Sequence, residues 1–320
     1  MTVQEVKNYP FYETTITKLM ELNVERKRAE ELIQEELVKA NEELLALNIL
    51  DNEDVVEYIM NDVVEDVRYA VSTESVSALI DKLEDLEEVD PESEEGIQLR
   101  RECVSLLRRL LKKKRTKKIE KLTSTEMNRI MIENMIDDSD MYILNVRKQW
   151  TQGFLADVLR SVELDEHTRG NYFRAYADYY CDGKNDAQSA DACYDRLIEA
   201  YPNDSNIIFG KAFSKMWRKE FEECQQLLQK GLELESKDSD MVELYLDTAR
   251  SIADETGNQE FYLEMKEKYE KPKKVYPPIR KISGLPLALE TYEDAKPNKP
   301  CPCGSGKKFK ACCLKIMEKM

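Results

Sequence analysis

The sequence predicts an all-α protein, a helical body followed by a small C-terminal metal module. Three observations carry that expectation. Only 10 of 320 residues are Gly and 10 are Pro, and seven of the prolines fall between Lys271 and Pro302, so the first 270 residues hold almost no helix breakers. Charged residues make up 35% and apolar residues 42%, a balance suited to amphipathic helices with solvated faces. Apolar residues also recur at three- and four-residue steps over long stretches, which places them on one side of a helix.

The first such stretch holds Leu19, Leu22, Ala29, Leu32, Ile33, Val38, Leu44 and Leu45. The rhythm continues at Val55, Val56, Ile59, Val63 and Val67, and again at Val76, Leu79, Ile80, Leu83 and Leu86. Asp90-Pro91-Glu92-Ser93 breaks it, and a further amphipathic helix is expected to start near Glu95. Residues 1–165 form an N-terminal helical region whose pattern matches no fold we can name.

Net charge is −16, with a marked local asymmetry. Between Asp51 and Glu95 stand 17 acidic residues against Arg68 and Lys82. From Arg100 to Lys121 the balance reverses, with 11 basic residues against Glu102 and Glu120. Arg108, Arg109, Lys112 and Lys113 lead the candidate partner contacts here. The run has two readings: a phosphate-gripping surface for nucleic acid or the ribosome, or a helix face paired with the acidic segment just before it. No aromatic residue interleaves it, so base stacking is unsupported.

Further along, the chain repeats itself. Ala190, Tyr194, Leu197 and Pro202 recur 34 positions later as Cys224, Leu228, Gly231 and Ser236. Tyr172, Ala175 and Tyr179 correspond more loosely to Ile208, Lys211 and Lys215, and a third copy shows at Val242, Leu246 and Ala249, then Tyr262 and Met265. Through Gly183, Ala190, Tyr194 and Pro202, and then Phe221, Cys224 and Leu228, residues 166–270 resemble tetratricopeptide repeats. A single helical hairpin cannot bury its apolar face alone, so such copies stack into a shared core. The resemblance implies a concave surface that holds a partner peptide. Tyr172, Tyr176, Tyr179 and Tyr180 would either line that groove or pack between repeats.

Residues 271–296 carry Pro272, Pro277, Pro278 and Pro286, which forbid a continuous helix; a linker is expected, with one short docked turn at Leu285–Tyr292. Residues 297–317 follow with Cys301-Pro-Cys303-Gly-Ser-Gly-Lys307-Lys308-Phe-Lys310-Ala-Cys312-Cys313. Four thiolates at this spacing can surround a tetrahedral ion at about 2.3 Å. Gly304 and Gly306 give the backbone freedom a tight loop needs. Lys307, Lys308 and Lys310 stand where they offset thiolate charge, and they are also candidate partner contacts. The stretch closely resembles the SEC-C motif, known from the C-terminus of the preprotein-translocase motor ATPase, with Cys313 where the motor usually carries His. That resemblance implies one zinc ion, iron being the less favoured metal for four thiolate ligands, and contact with proteins such as a chaperone or the ribosome.

Other chemistry finds little footing. His167 is the only histidine, which removes most triads and His-ligated catalytic metals. Gly304-Ser-Gly-Lys-Lys308 lacks the first glycine and the terminal Ser or Thr of a phosphate loop. Adjacent thiols make a strained disulfide, and Cys103, Cys181, Cys193 and Cys224 sit singly among apolar helical positions, as a reducing cytoplasm allows. There is no apolar run long enough for a spanning helix and no secretory signal at the N-terminus. The expectation is a cytoplasmic, non-catalytic adaptor that binds zinc, with a ribosome- or nucleic-acid-associated factor using residues 100–121 as the alternative.

Overall fold

Among the described residues the regular elements are all helices, in line with the composition. The structure, a computed structural model, describes residues 2, 4–70, 74–236, 239, 241–269, 296–301 and 307–317. Among these the helices are α1 (Tyr12–Glu21), α2 (Arg26–Glu43), α3 (Glu53–Arg68), α4 (Val76–Glu88), α5 (Glu94–Lys114), α6 (Glu126–Val146) and α7 (Thr151–Ser161). They continue as α8 (Glu166–Asp182), α9 (Ala187–Ala200), α10 (Ser205–Trp217), α11 (Phe221–Leu234), α12 (Met241–Thr256), α13 (Gln259–Tyr269) and the short α14 (Cys313–Met317). No described helix is long and apolar enough to cross a membrane.

Local chemistry sets the helix ends. Ser75, Ser93, Asp165, Asp186 and Asp204 each cap an N-terminus by accepting a hydrogen bond from a backbone N–H two or three residues on. With few glycines to spare, the chain makes several of its left-handed turns with other residues: Asn23, Asn48, Arg115, Arg147, Asn185 and Lys219 all have positive φ. The turn between α8 and α9 illustrates this. Gly183 keeps a negative φ, and Asn185 takes the left-handed position.

Met1–Tyr269 form one compact unit and Glu270–Met320 a second. The boundary expected at 165/166 therefore does not separate two bodies. One buried cluster runs from Val6 to Ile207 and includes Tyr172, Tyr176, Cys193 and Tyr194 of α8 and α9; a second runs from Phe209 to Tyr269. The reason is polar as well as apolar. The Tyr172 hydroxyl donates to the Ile136 carbonyl at 2.8 Å, and Asn52 donates to the Tyr176 hydroxyl at 3.1 Å and to Gln152 at 2.9 Å. The tyrosines thus tie α8 to the N-terminal helices instead of lining a groove. Val38 and Leu45, expected on the buried face, are exposed.

Three successive hairpins, α8–α9, α10–α11 and α12–α13, stack so that α10 touches α8 as well as α11 and α12. Ala190, Tyr194 and Leu197 are buried in α9, as are Cys224 and Leu228 at matching places in α11. Where the first copy has Leu197 the second has Gly231. A Cβ there would come 1.9 Å from the hydroxyl of buried Tyr245, which donates to the Ser205 carbonyl at 2.6 Å. Lys211 and Lys215, out of place in a hydrophobic repeat, are explained by carboxylates: Lys211 pairs with Asp195, and Lys215 with Asp191, Glu220 and Glu223. The expected linker at 271–296 lies outside the described residues, Lys296 apart.

The array also holds a titratable group off its ordinary value. Burial pushes the Asp178 carboxyl up to about 7, against the Tyr194 hydroxyl that donates to it and the nearby Arg174. The folded chain thus keeps a proton that the unfolded chain releases near the ordinary carboxylate value. This group's contribution falls as pH rises from about 4 to about 7 and is flat above that. Urea midpoints measured at about pH 5 and about pH 8 should show a drop in the wild type that shrinks in Asp178→Asn. An equal drop in both proteins would contradict the assignment.

Candidate metal centre

The C-terminal unit is built on a tight backbone turn. The Cys301 N–H donates to the Lys307 carbonyl at 2.7 Å and the Phe309 N–H to the Lys299 carbonyl at 2.9 Å, so that Pro300 and Lys308 pair as a single antiparallel bridge. The Lys310 N–H closes back on the Pro297 carbonyl at 2.9 Å. A 3-10 turn at Phe309–Ala311 then leads into α14, and Phe309 is buried beneath it. These few hydrogen bonds bring residue 301 next to residues 312 and 313.

The outcome is a cluster of thiols. The Sγ atoms of Cys301, Cys312 and Cys313 all lie within 4.8 Å of one another, with Cys312 and Cys313 at 4.0 Å. Cys301 and Cys313 are buried and Cys312 half-buried. A disulfide would need sulfurs at about 2 Å, so this is not one. Thiolates around a tetrahedral ion at about 2.3 Å stand roughly 3.8 Å apart along each edge, which is the scale seen here. Residues 298–315 match the SEC-C motif. No curated protein and no solved structure matches the chain.

The SEC-C module thus has a donor set that fits a zinc module, and three of its four expected ligands are brought together. The fourth, Cys303, lies outside the described residues, as do Gly304 and Gly306. Lys307, Lys308 and Lys310 are exposed on the turn that carries the ligands. Their positive charge is therefore close in sequence and backbone to the thiols it was expected to offset.

The other expected site resolves differently. Arg108 is only 4% exposed, and its guanidinium meets Asp66 at 2.9 Å, Asp62 at 3.3 Å and Asp157 at 3.5 Å. Arg160, equally buried, bonds Asp62 at 2.7 Å, Asp157 at 2.8 Å and also Glu36. Lys112 joins Asp66 at 2.7 Å and Glu36 at 3.1 Å. Arg109 forks onto Glu74 with contacts of 2.9 and 2.6 Å. Lys113 is exposed. Arg108, Arg109 and Lys112 are therefore corrected from phosphate contacts to intramolecular partners, most of them of the acidic segment. Desolvation explains the choice, since a buried guanidinium needs its carboxylates close by.

Electrostatics within this network follow from burial. Burial works to raise the Glu36 carboxyl, but Arg160 and Lys112 prevail and hold it at about 2. Asp62 is pushed upward instead, by burial first and by its neighbours Asp157 and Asp66. Arg160 and Glu36 carry no local signal in sequence. The one readable hint was a carboxylate in core register: Asp62 follows Ile59 by three residues, and Asp157 follows Phe154 by three, each pair sharing a buried face.

Proposed function

We propose that this chain is a zinc-dependent adaptor, in which the helical array holds one protein partner and the SEC-C module contacts another. The observation that carries the reading is the thiol cluster of Cys301, Cys312 and Cys313, drawn within 4.8 Å by a turn that buries two of them. The zinc assignment rests on these three thiols with Cys303 of the motif as the fourth donor, a set that suits a closed structural zinc site. Such a site has no open position for substrate, and so speaks for binding over catalysis. A reducing cytoplasm would keep the thiols available.

The partner side is supported by the array. Its stacked helical hairpins support a tetratricopeptide-like reading, and α10 presents a ladder of Phe209, Phe213 and Trp217 whose last member is 71% exposed. Exposed aromatics of this kind are favoured anchors at protein interfaces. The Pro-rich stretch before the module would tether the two contacts, so two modest affinities combine through effective concentration.

The test is capture of partners from lysate by the full chain, the Cys301→Ser/Cys303→Ser variant and Trp217→Ala, identified by mass spectrometry. One protein lost with the cysteines and another lost with Trp217 is the expected result. Identical captures from all three, or ribosomal proteins that vanish at high salt from each alike, would overturn the adaptor reading.

A further inference from the structure

A basic cleft opens beside the buried ion network, at the end of α5. Its volume is about 430 Å³, and it lies between α2, the last turn of α5 with the residues that follow, and the end of α7. Six cations line it, Lys39, Arg108, Lys112, Arg115, Lys117 and Arg160, against the carboxylates Glu36 and Glu43. A chain of net charge −16 therefore gathers positive charge at one place, where an anion would be drawn.

Ion pairing determines which of these charges are free. Arg108 and Arg160 are held by Asp62, Asp66, Asp157 and Glu36, and Lys112 by Asp66 and Glu36. Lys117 meets Glu43 at 2.9 Å, with both side chains open to solvent. Lys39 and Arg115 are exposed, and no carboxylate oxygen of a described residue lies within 4.0 Å of either. Both carboxylates lining the cleft are thus bonded, and its unpaired charges are cations. Lys112, Lys113 and Lys114 answer the negative end of the α5 dipole. Lys39 stands on α2, three residues after Glu36 on the same face, and adds charge that this dipole does not call for.

We propose that this cleft binds a small phosphate-bearing anion, held by Lys39, Arg115 and Lys117. Arginine forks onto two phosphate oxygens at once, and lysine meets others as a point charge. Thr116 also lines the cleft; its Oγ1 accepts from the Lys118 N–H at 3.1 Å, which leaves the hydroxyl hydrogen to donate. No aromatic ring lines the cleft, so a nucleobase would find nothing to stack on. The volume lies within the range of small-molecule sites.

Diphosphate is the probe, titrated into the full chain by isothermal calorimetry at low salt. Saturable binding is expected. Arg115 has a φ of 53°, which glycine adopts freely, so Arg115→Gly should fold as stably as the wild type while losing the fork. It should weaken diphosphate by about tenfold, and Lys39→Gln by about threefold or more. Lys114→Gln removes the same charge one residue away, from an exposed side chain that does not line the cleft, and should leave binding unchanged. Silence of the wild type toward diphosphate would overturn the proposal. So would equal losses in Lys114→Gln and Arg115→Gly, the mark of diffuse surface charge. A single-stranded RNA that binds where diphosphate does not would also overturn it, assigning these cations to a nucleic-acid surface.

Discussion

Replacing Cys301 and Cys303 by serine is expected to strip the C-terminal module of its metal while leaving the helical body untouched. Metal content should fall from one ion per chain to about a tenth of that or less, because half of the expected ligands are gone. The reason is energetic. Structural zinc in small modules is worth roughly 10–16 kcal/mol of apparent binding free energy, and that energy is what folds them. Among its described residues the module buries Phe309, Cys301 and Cys313, two of the three being expected metal ligands. The body, by contrast, holds its own buried clusters from Val6 to Tyr269. Elemental analysis of the variant, with thermal unfolding of the body by circular dichroism alongside, separates the two effects. A variant that keeps its metal would show that Cys301 and Cys303 are not ligands, and a body that melts with the module would show the two are not independent.

Arg108→Ala is expected to be the most damaging single change in the body. It would leave Asp62, Asp66 and Asp157 facing one another with only Arg160 and Lys112 to neutralise them. Breaking a buried ion network by removing one partner typically costs about 3–5 kcal/mol, because the remaining charges stay desolvated. For a body of this size that corresponds to a fall of roughly 10 °C in the melting temperature. Arg109→Ala, whose pair with Glu74 is partly solvated, should cost only about 1 kcal/mol. Chemical denaturation of the two variants checks the contrast. Equal and small losses would show that the Arg108 network adds little to the stability of the body.

That contrast marks where sequence reading succeeds and where it stops. Helix periodicity is local, and the break at Asp90–Ser93 with α5 starting at Glu94 was readable because the cap, the proline and the apolar rhythm all lie within a few residues. The 34-residue recurrence was readable for the same reason, since stacked hairpins repeat their buried positions. The cysteine spacing predicted the thiol cluster because the ligands close over a short turn. Long-range pairing has no such signature. Arg108 meets Asp157 and Arg160 meets Glu36 across separations that no periodicity encodes, so the interior place of Arg108 was hidden in a run whose Lys112, Lys113, Lys114, Arg115, Lys118 and Lys121 are exposed. The placement of α8 against the N-terminal helices was hidden likewise, because a tyrosine stripe looks the same whether it faces a repeat, a groove or Ile136 and Asn52.

The central claim is a closed, four-thiolate zinc site at the C-terminus. Elemental analysis of the full chain purified under reducing conditions, followed by zinc-edge X-ray absorption, tests it most directly. The account predicts one zinc per chain with four sulfurs at about 2.3 Å. Protein that carries no metal, or a metal whose shell is not sulfur, would contradict it.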